Sequence, residues 1–287
     1  MKEQEVTASR SDMAGRVTAQ TSQDSRTASS PVIRLVNVSK SFNDQVVLDG
    51  LNLEIPRGKL TTIIGRSGGG KSVLLKHLIG LLRPDEGQVL VEGIDITRLG
   101  QRELNEIRKK FAMLFQGAAL FDSLSVFENV AFPLREKTKL NDDEITAKVL
   151  DCLEQVGLTG MGQKFPSELS GGRRKRAGLA RALVLGPEIM LFDEPTTGLD
   201  PMLARTIHDL ILQTQRRYRF TSVMISHEIP EVFEISDYVA MLLDGKIAEM
   251  APPEQFVRTQ NPSIQEFING GKGTLCPVAL PVGKRDG

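Results

Sequence analysis

Four short, continuous apolar runs are spread along the chain: Leu60-Thr61-Thr62-Ile63-Ile64, Phe111-Ala112-Met113-Leu114-Phe115, Glu188-Ile189-Met190-Leu191-Phe192 and Thr221-Ser222-Val223-Met224-Ile225. Runs of this length without polar alternation predict strands buried on both faces. A fifth, Val239 to Leu243, joins Lys246-Ile247-Ala248 through Asp244-Gly245 and predicts a hairpin. Near the start the pattern alternates instead: Ile33, Leu35 and Val38 begin a strand from about Val32, Phe42 ends it, and Val46 to Leu53 supply more strand up to a turn at Pro56-Arg57-Gly58-Lys59. Gln88-Val89-Leu90-Val91 is another strand, between a break at Arg83 to Gly87 and a turn at Glu92-Gly93. Helical spacing appears at Val73, Leu74, Leu75, Leu78 and Leu81, in a short stretch from Gln101 to Lys109, and in a closing helix from Ser263 to Ile268. From Gly117 to Pro187 the character is helical. There Asn141 is a good N-cap, Asp142, Asp143 and Glu144 suit a first turn, and Ile145, Val149, Leu153 and Val156 follow up to Gly157. The expected class is α/β, with a helical insertion between early and late strands.

Open α/β sheets gather ligands at the carboxyl ends of their strands, so the residues after each run are the candidates for chemistry. After Leu60–Ile64 comes Gly65-Arg66-Ser67-Gly68-Gly69-Gly70-Lys71-Ser72, the G-x-x-x-x-G-K-[ST] spacing of a phosphate-binding loop. Its glycines let successive backbone N–H groups turn toward one anion, Lys71 adds a positive charge, and the following helix offers unpaired donors at its N-terminus. The Ser72 hydroxyl is suited to Mg²⁺. Gln116 ends the second run, the acid pair Asp193-Glu194 ends the third, and His227 stands just beyond the fourth. In a chain with a phosphate loop, Asp193 is suited to reach Mg²⁺ directly or through water, Glu194 to take a proton from an attacking water, and His227 to bond the terminal phosphate or that water. Phe42, an exposed aromatic, is suited to stack on a nucleotide base.

Composition narrows the setting. The 287 residues suffice for one large domain or two closely joined ones, and Lys+Arg and Asp+Glu both number 36. That balance gives no global pull toward nucleic acid or an anionic membrane. Cys152 and Cys276 are too few for a disulfide framework and lack metal-ligand spacing. No apolar run approaches the roughly 18 residues of a spanning helix, so a membrane role requires another subunit. Residues 1–31, rich in Ser and Thr and poor in large apolar residues, read as a disordered leader, and 269–287 as a Gly- and Pro-containing tail.

With Leu169-Ser170-Gly171-Gly172 added, the set resembles the ATP-binding subunit of ABC transporters across residues 32–268, with six motifs in the family's order. The resemblance implies a P-loop NTPase (RecA-like) core of mixed sheet, an antiparallel β subdomain, and a helical subdomain over about 117–187 that carries the signature. It implies ATP and Mg²⁺ as ligands. Phe42 then matches the base-stacking aromatic, Gly65 to Ser72 the Walker A loop, Gln116 the Q-loop glutamine and Asp193-Glu194 the Walker B pair. Gly198-Leu199-Asp200 matches the D-loop and His227 the switch histidine. Ser72, Gln116 and Asp193 would surround the metal, and Glu194, His227 and Lys71 would carry catalysis. Ser170, Gly171 and Gly172 match the signature that closes on the ATP of a partner subunit, which implies a homodimer. Physics is consistent with that: Ser170 is an N-cap candidate for the helix through Ala177, Ala180 and Leu183, while Arg173, Arg174, Lys175 and Arg176 load its first turn with charge unfavourable to an isolated helix. A partner's phosphate would relieve this; a solvated basic face is the other reading.

Within the family, the stretches Gly68 to His77, Met113 to Phe121 and Val126 to Leu134 look like the ATPase of Mla/Mce-type phospholipid transporters. This implies integral membrane permease subunits, a lipid-binding Mce-type subunit, a place on the cytoplasmic face of the inner membrane, and no nucleic-acid partner. An importer ATPase for a small solute such as an amino acid is the alternative within transport. A non-transport ABC ATPase usually carries two ATP domains or a long coiled-coil insertion, and a regulatory ATP-binding module would not need Glu194 and His227.

Overall fold

A computed structural model describes residues 30–270. Strand begins at Pro31 and the last helix runs to Gly270, so the borders expected for leader and tail shift by one or two residues; the rest of both lies outside the described residues. In chain order the elements are β1 (Pro31–Phe42), β2 (Gln45–Pro56), β3 (Leu60–Ile64), α1 (Lys71–Leu78), β4 (Glu86–Val91), β5 (Ile94–Asp95), α2 (Gln101–Arg108) and β6 (Phe111–Leu114). There follow α3 (Val126–Lys137), α4 (Asp142–Gln155), a 3₁₀ turn at Pro166–Glu168, α5 (Gly171–Leu183), β7 (Ile189–Asp193), α6 (Pro201–Tyr218) and β8 (Thr221–Ile225). The chain closes with α7 (Glu231–Ile235), β9 (Tyr238–Leu243), β10 (Lys246–Ala251), α8 (Pro253–Phe256) and α9 (Pro262–Gly270).

Two sheets result. One is antiparallel, in the order β2-β1-β4-β5; the other is mixed, in the order β10-β9-β3-β8-β7-β6, with only the β9–β10 pair antiparallel. Three of the four apolar runs fill the parallel interior of the mixed sheet as β3, β7 and β8, and every residue of β3 and β8 is buried. The fourth is not buried on both faces: it forms β6 at the sheet edge, where Ala112 and Met113 are half-buried and Phe115, past the strand's end, is 42 % exposed. Leu74, Leu75 and Leu78 of α1 share one core with the inward faces of β1 and β2. The helices of the insertion pack a second core with Phe192, Met224 and Ile211. α1 is shorter than the apolar spacing suggests. Gly80 takes φ +67°, Leu81 N–H turns back to the Lys76 carbonyl at 2.8 Å, and Leu81 is left 51 % exposed beyond the helix end.

Asn141 does cap α4. Its side chain accepts from Glu144 N–H at 2.9 Å while the Glu144 carboxylate accepts from Asn141 N–H at 2.8 Å, a reciprocal capping box. Asn141→Ala should therefore lower stability by about 1 kcal/mol in denaturant unfolding. An unchanged midpoint would mean that water replaces the cap. α6 is a further helix, beyond those the apolar spacing predicts, and Asp200 followed by Pro201 is its start signal: Asp200 Oδ1 accepts from Leu203 N–H at 3.0 Å, and proline occupies the first turn.

Candidate functional site

β3 is flanked by β8 and β9, and Gly65 leaves its carboxyl end against β9. A Cβ on Gly65 would lie 2.4 Å from the Leu242 carbonyl oxygen, so only glycine lets the loop turn here. Gly65, Gly68 and Gly70 all have positive φ, and Gly70 delivers the chain into α1 with no side-chain cap and no acidic residue in the first turn. The helix thus opens with donors that carry no counter-anion of their own. Lys71 is 6 % exposed and donates from Nζ to the Gly65 and Arg66 carbonyls, each at 2.9 Å, so its ammonium lies across the loop. Burial lowers its pKa, opposed by the charges of Glu194 and Asp193. Arg66 to Gly69 line a groove of about 250 Å³ with Gln45 to Val47 and the β9–β10 turn at Leu242 to Gly245.

β7 and β8 run parallel, with Asp193 opposite Ile225, so the acid pair and His227 leave adjacent strand ends. Ser72 Oγ lies 3.5 Å from Asp193 Oδ1. Burial raises the Asp193 pKa and Glu194 beside it adds to the rise, while Ser72 opposes it. Glu194 sits in the left-handed region at φ +48°, sparsely populated by residues with a side chain. Its N–H is anchored to the Ile225 carbonyl at 3.0 Å, Thr197 Oγ1 donates to Oε2 at 3.1 Å, and His227 Nδ1 is 3.3 Å from Oε1. A carboxylate, an imidazole and a buried ammonium therefore follow the carboxyl ends of three neighbouring strands, β7, β8 and β3.

Among the described residues, no three His, Cys, Asp or Glu gather as a metal cage. Mg²⁺ on phosphates usually takes only one or two protein oxygens, keeping water and substrate for the rest. The adjacent hydroxyl and carboxylate of Ser72 and Asp193 fit that demand.

Gln116 leaves β6 two residues past Leu114, as Glu194 leaves β7 two past Phe192, its paired residue. Its contact in the structure is through the backbone, whose carbonyl accepts from Lys175 Nζ. Phe42 is 42 % exposed at the end of β1, paired with Gln45 across the hairpin, and Lys40 Nζ lies 5.3 Å from its ring centroid. The ring is outside the set that lines the groove by the phosphate loop.

Ser170 stands at the N-cap of α5, but its side chain makes no capping hydrogen bond. Gly171 and Gly172 approach Leu199 and Leu203, so this turn rests on the Asp200 loop of its own chain. No hydrogen bond joins it to residues 65–72 among the described residues. The basic quartet is only in part the solvated face that is one reading of its charge: Arg173 and Arg174 are exposed, whereas Lys175 is buried and Arg176 half-buried. Lys175 holds Gln116, Arg174 Nη1 donates to Leu169 O at 2.5 Å, and Arg176 Nη1 to Val156 O at 2.9 Å. Arg174 and Arg176 thus brace the insertion internally, and Lys175 ties it to the end of β6. No spacing rule would have found this, since carbonyl partners leave no signature in sequence.

A phosphate loop at a helix N-terminus, with an acid pair and a histidine on neighbouring strand ends, defines a phosphate-loop nucleotide hydrolase with a helical insertion. The chain belongs to the ABC transporter family, whose profile matches residues 48–197, and it is an ATP-hydrolysing, ATP-binding subunit of that family. It is 44 % identical over 239 residues, 83 % of this chain and 90 % of the relative, to the intermembrane phospholipid transport system ATP-binding protein MlaF of Haemophilus influenzae. It is 42 % identical over 257 residues, 90 % of this chain and 74 % of the relative, to the probable ribonucleotide transport ATP-binding protein mkl of Mycobacterium leprae. Among solved structures, a dimeric post-hydrolysis state of the ATP-binding cassette MJ0796 bound to ADP and Pi superposes with a TM-score of 0.70 at 31 % identity, covering 77 % of this chain and 98 % of that one.

Proposed function

We propose that the chain drives phospholipid transport between membranes, as a homodimer whose ATP hydrolysis moves a separate integral permease. The observation that carries the lipid reading is the 44 % identity to a phospholipid transport ATPase over nearly that protein's full length. No helix among the described residues is long and apolar enough to cross a membrane. The reading adds a separate permease and places this chain on its cytoplasmic face. A lipid-binding Mce-type subunit completes the assembly.

In this reading the Gly65–Gly70 backbone and Lys71 bind the phosphates, and Phe42 stacks on the base. Ser72, Asp193 and Gln116 hold Mg²⁺, which when bound neutralises phosphate charge. Glu194 accepts the proton of the attacking water, and His227 orients that water or the terminal phosphate. The free hydroxyl of Ser170 and the donors of Gly171 and Gly172 reach the nucleotide of the partner subunit, with Asp200 beside them. Catalysis is then positioning and charge stabilisation in two composite sites.

Affinity purification from native membranes in mild detergent, with mass spectrometry of proteins and lipids, tests this. A polytopic permease, a single-span partner and co-purifying phospholipid are expected. A permease with a solute-binding protein and no lipid would instead support solute import, a second reading favoured by the 42 % identity to the ribonucleotide transport protein. Ribosomes or DNA-repair factors in place of membrane proteins would overturn transport altogether.

A further inference from the structure

Next to Glu194 and His227 in the chain lies a polar cluster, two of its three members buried, that none of these roles uses. Thr196, two residues past Glu194, is 1 % exposed, and its Oγ1 donates to Glu228 Oε2 at 2.5 Å. Glu228 directly follows His227, so this short hydrogen bond ties together the two loops that carry the hydrolysis pair. On the other side of Thr196 is His208 of α6, 2 % exposed, with Nε2 3.5 Å from Thr196 Oγ1 and 3.8 Å from Glu228 Oε2. The single hydroxyl proton of Thr196 goes to Glu228, which leaves its lone pairs to accept from His208. The tautomer with a proton on Nε2 therefore completes a chain of donation from His208 to Thr196 to Glu228. Burial lowers the His208 pKa, opposed by the charge of Glu228, consistent with a neutral donor.

The backbone of Glu228 is held as well: its N–H bonds Ser226 Oγ at 3.1 Å and its carbonyl accepts from Val232 N–H at 3.2 Å. Lys175 of α5, buried and attracted by both Glu228 and Glu194, faces the same junction. His227 is different. Its side chain is 52 % exposed, and its contact is the 3.3 Å approach to Glu194. An exposed imidazole with one long contact takes its position from the backbone beneath it, and that backbone is set by Glu228.

We propose that Thr196, His208 and Glu228 are positioning residues that hold His227 against Glu194 and so set the rate of hydrolysis. The proposal rests on the assignment of His227 and Glu194 to that step. Because His208 belongs to the helix capped by Asp200, the cluster also links the pair to the Gly198–Asp200 loop. Misplacement of a catalytic group by about 1 Å can lower a rate 10²-fold, so losing the Thr196 hydroxyl should lower kcat by roughly 10- to 100-fold.

The test uses steady-state phosphate release by the full chain, with affinity for a fluorescent ATP analogue and thermal melting measured in parallel. Thr196→Val should lose turnover as stated with KM within about twofold of the parent, and Thr196→Ser, which keeps the hydroxyl, should recover most of it. If Thr196 acts through His227, the double variant with His227→Ala will be no slower than His227→Ala alone. Multiplying losses, or parental kcat in Thr196→Val beside an impaired His227→Ala, would overturn the cluster while leaving the hydrolysis pair in place. Parental turnover in His227→Ala would remove the assignment of His227, and the proposal with it. Should Thr196→Val fail to fold, Glu228→Leu, at a position 24 % exposed, takes its place in the same comparisons.

Discussion

Glu194→Gln should lower steady-state ATP turnover by about 10²- to 10⁴-fold while leaving ATP affinity within a few-fold. The substitution keeps the shape of the side chain, and the amide oxygen can still accept the 3.1 Å bond from Thr197. The backbone anchor to Ile225 is untouched. What disappears is the basic oxygen 3.3 Å from His227, and with it the group able to take a proton from water. The loss of one negative charge also removes a contribution that raises the Asp193 pKa, so the carboxylate beside Ser72 is easier to ionise. Nucleotide binding is accordingly retained. Phosphate release and equilibrium binding, measured on the same preparation, separate the two effects. Near-normal release would take Glu194 out of the mechanism.

The largest effect on stability is expected from Phe192→Ala. Phe192 is fully buried in β7, paired with Leu114 of β6 and Met224 of β8, and it packs in the core shared with the helical insertion. Truncating a buried phenylalanine costs about 3–5 kcal/mol, the transfer free energy of the ring plus the cavity left behind. For a domain of this size each kcal/mol lowers Tm by about 2–4 °C, so a fall of roughly 6–20 °C should be seen by calorimetry. The next residue is Asp193, so the surviving folded protein should also hold its acid pair less firmly. A shift below about 2 °C would mean that the surrounding side chains collapse into the space.

Much of this site was legible because its chemistry is contiguous. Gly65 to Ser72 needs no tertiary information to be recognised, and Asp193, Glu194 and His227 each follow an apolar run whose burial the structure bears out. Other features show only in the folded chain, some set by local turns and caps and some by partners far away in sequence. Leu81 has helical spacing, yet Gly80 ends the helix before it. The start of α6 is masked because Asp200 closes a loop motif and caps the helix at once. Thr196, His208 and Glu228 carry no motif between them, and each alone is an ordinary polar residue. Only the packing of α6 against the β7 and β8 loops makes them one cluster. The charge of Lys175 suggests a solvated side chain, whereas burial and the Gln116 carbonyl decide what it does.

β3, which delivers the phosphate loop, has as its neighbours β8 from Thr221 and β9 from Tyr238. At about 5–20 residues per second, translation reaches those strands on the order of ten to thirty seconds after Ile64 has been made. Until then both edges of β3 lack their partners, and Lys71, Asp193 and His227 belong to separate stretches of a nascent polypeptide. Nucleotide binding is thus acquired only after β8 and β9 have been made, and a polypeptide terminated before β8 would carry the motif without the site.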